Sequence, residues 1–210
     1  MNKKKINEIF TRFAKQNPEP KTELIYQNEF TLLVAIILSA QATDISVNKA
    51  TASLFKIADN PKDILKIGVD GIKSHIKSIG LYNGKALNIY KLSQILIEQY
   101  NEKIPSSLKE LISLPGVGAK TAAVFLNCAH KEPRIAVDTH VFRVSNRIHL
   151  TKAKNVVESE TQLAKNVPHK WQFHAHHWLI LHGRYTCKAR KPECSRCIIN
   201  DLCEYEAKSI

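Results

Sequence analysis

Apolar residues recur along this chain at helical rather than strand spacing. Over residues 31–39 (TLLVAIILS) they are nearly continuous, as in a helix buried on all sides. Thr43 or Asp44 caps a second helix, whose Ile45, Ala50, Leu54 and Phe55 lie at roughly helical intervals. Asn60 and Pro61 open a short helix, proline being tolerated in a first turn, and Gly68 closes it. Another short piece covers 71–79 and ends at Gly80. A long amphipathic helix follows over 85–100. Ile104-Pro105-Ser106 then breaks the chain ahead of a helix at 108–113. Beyond a glycine hairpin, the spacing predicts helices at 119–130, 139–149, 156–167 and 171–181, with 131–137 extended and 187–203 in short loops. No alternating segments are joined by hairpin turn chemistry, so the expected fold class is all-α. One internal echo stands out. SIGLYNGKALNI (78–89) and SLPGVGAKTAAV (113–124) share a short helix, a glycine-bearing turn, a lysine and a new helix.

Composition narrows the function. With 210 residues there is room for one large domain or two small ones, and 44% hydrophobic residues suffice for a core. The formal charge of +12 and pI near 9.5 point to a polyanionic partner, because each neutralised phosphate releases counterions. The N-terminal MNKKKINEIF carries charge without an apolar stretch behind it, so it is not a secretory signal. The longest apolar run, residues 32–38, is too short to span a bilayer. A cytoplasmic protein with no membrane partner is expected, and its five cysteines are then not disulfides.

Four of those cysteines crowd the tail: Cys187, Cys194, Cys197 and Cys203, in C-x6-C-x2-C-x5-C spacing. Zinc usually takes paired knuckles from two segments, and only one close pair occurs here. A compact run of four thiolates suits a four-iron cubane better, with zinc as the alternative. Lys188, Arg190 and Lys191 lie between the first two cysteines and Arg184 just before them, a basic loop fit to clamp phosphate or to compensate an anionic cluster. Cys128, among apolar helix residues, reads as an inert buried thiol. His174, His176, His177 and His182 lack an HExxH pattern or a nearby carboxylate, which favours structural roles over a metal site.

The hairpin LPGVGAKTAA (114–123) raises its own question. It is not a Walker A loop. Ala119 separates Gly118 from Lys120, and no glycine precedes at the required distance. The glycines fit a helix–hairpin–helix, with Gly116 and Gly118 free to take positive φ and their amides directed at a DNA phosphate. Lys120 then falls in the first turn of the next helix. That position and an apolar setting of Val117, Ala119 and Ala122 are expected to disfavour its ammonium, making it a candidate nucleophile. Phosphate binding is the other reading. Asp138, in AVDTHVFRV, is first of all an N-cap, and secondarily a candidate catalytic carboxylate.

In combination, LPGVGAKTA, VDTHVFRVSNR (137–147) and the four-cysteine tail resemble the endonuclease III family, bacterial DNA glycosylases and apurinic/apyrimidinic lyases of the helix–hairpin–helix–Gly/Pro–Asp superfamily. SAQATD (39–44), GLYN (80–83) and HHWLILHGRYTC (176–187) match as well, and the resemblance runs nearly end to end. It implies two helical domains with damaged double-stranded DNA in a cleft between them. One is a six-helix barrel at 22–132 that contains the helix–hairpin–helix at about 108–127. The other joins 1–21 to 133–210 and holds a [4Fe-4S] cluster on Cys187, Cys194, Cys197 and Cys203. The damaged nucleotide would be flipped out, with Gln41 and Leu81 filling or wedging the vacated stack. Gly116, Gly118, Arg184, Lys188, Arg190 and Lys191 would contact DNA. Lys120 would attack C1′ and expel an oxidised pyrimidine, with Asp138 activating it. The Schiff base would permit β-elimination on the 3′ side. A monomer associated with the nucleoid is implied. The pattern departs at Ala119, where the family often has a basic residue, so a DNA contact is in doubt there. Adenine-mismatch glycosylases usually lack the lysine and carry a further domain for which 210 residues leave no room. A non-catalytic DNA-binding module and a zinc-stabilised structural protein are the rivals from other classes.

Overall fold

The computed structural model describes residues 1–209, and among them the secondary structure is helical, with no strand. In chain order the helices are α1 (Lys3–Gln16), α2 (Glu29–Ser39), α3 (Asp44–Leu54), α4 (Pro61–Ile76), α5 (Tyr82–Tyr100), α6 (Leu108–Ser113), α7 (Ala119–His130), α8 (Thr139–Arg147), α9 (Val156–Asn166) and α10 (His169–Tyr185). One turn of 3₁₀ helix follows at Cys194–Arg196. The chain divides into two compact units, Glu23–His130 and Met1–Thr22 with Lys131–Ile210. No helix among the described residues is long and apolar enough to cross a membrane.

In the continuous unit, α2 is the central rod. Every residue from Phe30 to Leu38 is buried, which its unbroken apolar run requires. A capping box starts it: the Asn28 side chain accepts from the Thr31 amide at 2.9 Å, and the Thr31 hydroxyl takes the Asn28 amide at 3.0 Å. Helices α3, α5 and α7 pack on α2, α4 lies along α5, and α6 leads into α7. The two short helices expected around Gly68 form one element with a kink. Gly68 sits at φ 67°, ψ 177°, a conformation only glycine enters easily, and the chain resumes helical geometry beyond it.

The discontinuous unit is closed by α1, whose Ile6, Ile9, Phe10 and Phe13 form a buried stripe. Phe10 meets Trp178 of α10 at a ring separation of 6.0 Å, and the Trp178 indole donates to the Asn17 carbonyl at 2.8 Å. Arg12 bridges to Asp201 and to the Ile198 carbonyl, and Lys5 pairs with Glu204 at 3.0 Å, so the first helix holds the cysteine tail. Helix α8 packs on α10 at Gly183, where a Cβ would stand 3.0 Å from Val144 and 3.1 Å from His140. Gly183 is thus a packing position inside α10, which runs to Tyr185 rather than stopping near residue 181.

Candidate functional site

The segment Leu114–Val117 is a tight turn closed by the Val117 amide donating to the Leu114 carbonyl at 3.1 Å. Pro115 presets the first central position, and Gly116 takes the second at φ +80°, the arrangement of a type II turn. Gly118 does not use the left-handed region; only Gly68 and Gly116 do among the described glycines. Its freedom is spatial instead, since a Cβ there would meet nothing within 4 Å. The backbone ahead of α7 is therefore open to a ligand, and the first amides of α7 point outward as at any helix start.

Lys120 stands in that first turn and is exposed, as is Ala119. The expected apolar setting is not there. Val117 and Ala122 are buried in the core, and residues two apart on a helix face away from each other. Gln41 and Leu81 are also exposed, Leu81 by 70%. Each is a non-glycine residue in the left-handed region, at φ 58° and 59°. Such strain costs on the order of 1–3 kcal/mol and gathers at sites where a side chain is held out for use.

Asp138 is the N-cap of α8: its Oδ1 accepts from the Val141 amide at 2.7 Å. Two residues on, His140 is kept from protonating chiefly by burial, while Asp138 pulls the other way. The far part of α8 addresses the cysteine loop through two arginines to which the sequence reading gave no role. Arg143 donates to the carbonyls of Gly183 (2.8 Å) and Cys187 (3.2 Å). Arg147 donates to those of Lys188 (2.8 Å) and Ala189 (3.0 Å), and to Cys187 Sγ at 3.5 Å. Their i, i+4 spacing within VFRVSNR was the available signal.

Cys187, Cys194, Cys197 and Cys203 line one cavity of about 320 Å³, open mouth included. Among the described residues no three His, Cys, Asp or Glu side chains converge tightly enough to hold a single metal ion. Burial pushes the Cys197 thiol up to about 11, with neighbouring thiolates adding to it, and burial raises Cys203. Thiolates in such a place need a cationic metal centre to stabilise them. His182 supplies a hydrogen bond as well. Burial pushes its pKa down to about 4, and with Nε2 protonated the neutral ring donates to Cys197 Sγ at 3.7 Å. A polynuclear cluster spread across the cavity fits these residues.

In the loop itself Lys188, Arg190 and Lys191 are exposed, and Arg184 is half-buried on α10. Lys188 is paired with Glu193, which Arg196 also grips, so Arg190 and Lys191 carry the loop's outward charge. His176 Nδ1 lies 2.7 Å from the Ala136 carbonyl, and burial lowers His177 to about 3. Burial also pushes the Cys128 thiol up to about 11, in keeping with an inert residue.

Residues 34–169 match the model of the HhH-GPD superfamily of base excision DNA repair proteins, and residues 187–203 match the iron–sulfur binding domain of endonuclease III. The chain is 60% identical to endonuclease III of Rickettsia conorii over 95% of each chain. It is 56% identical to endonuclease III of Escherichia coli K12 over 99% of each. Among solved structures, a trapped endonuclease III–DNA covalent intermediate superposes with a TM-score of 0.89 at 42% identity, covering 97% of this chain and 96% of that one. A thermostable thymine-DNA glycosylase gives 0.82 at 25% identity, covering 96% of each.

Proposed function

Because the chain belongs to the endonuclease III family of base-excision-repair proteins, and is a DNA glycosylase and apurinic/apyrimidinic lyase with an iron–sulfur-binding tail, we propose that Lys120 is its nucleophile and Asp138 the carboxylate that serves it. The observation that carries this assignment is an exposed lysine in the first turn of α7, directly behind a hairpin whose backbone is open to a phosphate. The covalent DNA intermediate named for the superposable relative supports a covalent route.

The steps follow from the groups in hand. The amides around Gly116 and Gly118 hold the backbone without reading sequence. Gln41 and Leu81 fill the stack vacated by the flipped nucleotide. Lys120 Nζ, as the free amine, bonds to C1′ while the C1′–N bond to the base breaks, and the base leaves with the proton that Asp138 takes from the lysine. Asp138 takes the proton from the lysine and stabilises positive charge on the sugar; only its Oδ1 is spent on capping α8. The C1′–O4′ bond then opens, O4′ taking a proton, to leave a protonated imine at C1′; this acidifies the C2′ proton, whose loss to a base expels the 3′ phosphate. Water then hydrolyses the imine and returns the lysine.

Cys187, Cys194, Cys197 and Cys203 are the ligands of a [4Fe-4S] cluster in this reading. Bound there, the cluster supplies metal–thiolate bonds that fix the loop holding Arg190 and Lys191 toward DNA. Arg184 and Lys188 extend that basic surface. The barrel of residues 22–132 holds Lys120, and residues 1–21 with 133–210 hold Asp138 and the four cysteines. Oxidised pyrimidines in duplex DNA are the substrates, met by a monomer at the bacterial nucleoid. Borohydride trapping on abasic-site DNA tests the assignment. Wild type is expected to cross-link, Lys120→Ala to lose the adduct, and Asp138→Asn to form it at least about 100-fold more slowly. A cross-link that survives Lys120→Ala removes Lys120 from the role.

A further inference from the structure

The internal echo in the sequence resolves into two lysines in corresponding places with opposite environments. Each lies four residues after a left-handed residue, Lys120 after Gly116 and Lys85 after Leu81. Lys120 is exposed, whereas Lys85 is only 7% exposed, and burial lowers its pKa below the ordinary lysine value. The Lys85 ammonium is occupied at the end of α2, donating to the Leu38 carbonyl at 2.9 Å and the Ala40 carbonyl at 2.6 Å.

The last carbonyls of α2 can be followed one by one. Ile36 accepts from the Ser39 hydroxyl at 2.8 Å, Ile37 from the Ala40 amide at 3.4 Å, and Ser39 from the Ala42 amide at 3.1 Å. Leu38 and Ala40 are served by Lys85. A negative helix end favours a cation there, yet a glycine cap would close the helix without the cost of burying an ammonium. What the lysine adds is a link. The next residue after Ala40 is Gln41, strained and exposed, and the backbone amide of Lys85 donates to the Leu81 carbonyl at 3.1 Å. One residue thus bonds to the turns that hold out Gln41 and Leu81, to the first through its side chain and to the second through the first backbone bond of α5. One turn further along α5, Asn88 packs against Gly116, where a Cβ would come within 3.0 Å of it. Leu81, Lys85 and Asn88 lie at helical spacing, so one face of α5 addresses the Gln41 turn, the Leu81 turn and the glycine hairpin.

We infer that Lys85 is a positioning residue that sets Gln41 and Leu81 at a fixed separation, so that both enter the duplex together at the vacated nucleotide. The inference rests on the proposed DNA contacts of those two turns. Its test uses a duplex with a tetrahydrofuran abasic analogue opposite 2-aminopurine, whose fluorescence rises when it is unstacked. Lys85→Met, which keeps the length and loses the donors, should weaken binding to this duplex about tenfold and undamaged duplex by less than about twofold. At saturating protein its fluorescence rise should be smaller than that of wild type, a signature that a mere loss of folded protein does not give. Added to Leu81→Ala, Lys85→Met should cost less than about a further twofold, since both act through one wedge. Wild-type affinity and a full fluorescence rise in Lys85→Met, with Leu81→Ala impaired, overturn the inference alone; so do losses that multiply independently. Unimpaired Gln41→Ala and Leu81→Ala overturn the DNA-contact reading and the inference with it. Should Lys85→Met fail to fold, Lys85→Gln, which retains donors for one carbonyl, is judged by the same outcomes.

Discussion

Two lysine-turn positions show what residue types alone reveal and where they stop. Lys120 was legible as a candidate because it follows a turn that glycine and proline dictate, but its exposure was not. Of the apolar neighbours that suggest a desolvated lysine, Val117 and Ala122 are turned into the core and Ala119 is itself exposed. Lys85 was legible only as part of an echo, since burial of a lysine depends on the helix packed against it rather than on its neighbours in sequence. Asp138 was read as an N-cap, and the 2.7 Å bond to Val141 is that cap. Ala119, exposed beside Lys120, invites a direct substitution. Ala119→Arg should tighten DNA binding and steepen the dependence of log affinity on log salt by about one unit, as one more phosphate contact requires. Anisotropy titrations across a salt series measure it, and an unchanged slope would mean that residue 119 does not reach the backbone.

Thr43, Asn60 and Asp138 are legible in the sequence as helix starts, and each caps through its own oxygen; Asn28, Ser107 and Asn155 cap in the same way. Ends and kinks were harder, because tertiary contacts set them. Gly183 looks like a stop and is instead the point where α8 and α10 touch. Gly183→Ala should destabilise the protein by roughly 1–3 kcal/mol through overpacking, read from urea midpoints. The same helix carries an acid-sensitive group. His177 is held near 3, below its ordinary 6.5, so the unfolded chain binds the proton first. Stability is therefore lost as pH falls from about 6.5 toward 3, by at most about 1.4 kcal/mol per pH unit from this residue. Midpoints taken between those limits should fall less steeply for His177→Leu than for wild type. Equal slopes would show that the ring is not buried neutral.

For the molecule as a whole, an all-α chain with a basic charge and a four-cysteine tail was visible in the sequence. The discontinuous unit was not derivable from periodicity, since nothing in KKKINEIFTRFAKQ says that its apolar stripe packs on α10 and that Arg12 reaches Asp201. The cluster loop hangs on that helix and on Arg143 and Arg147. Removing iron should therefore disorder residues 187–203 and lower the salt dependence of DNA binding by about two contacts, those of Arg190 and Lys191. Far-UV circular dichroism should retain the helices of Glu23–His130, which share none of those bonds. The central claim is that one lysine forms the bond to the sugar. Peptide mass mapping of the borohydride-reduced adduct tests it most directly: the account predicts the sugar remnant on Lys120, and a remnant on any other lysine contradicts it.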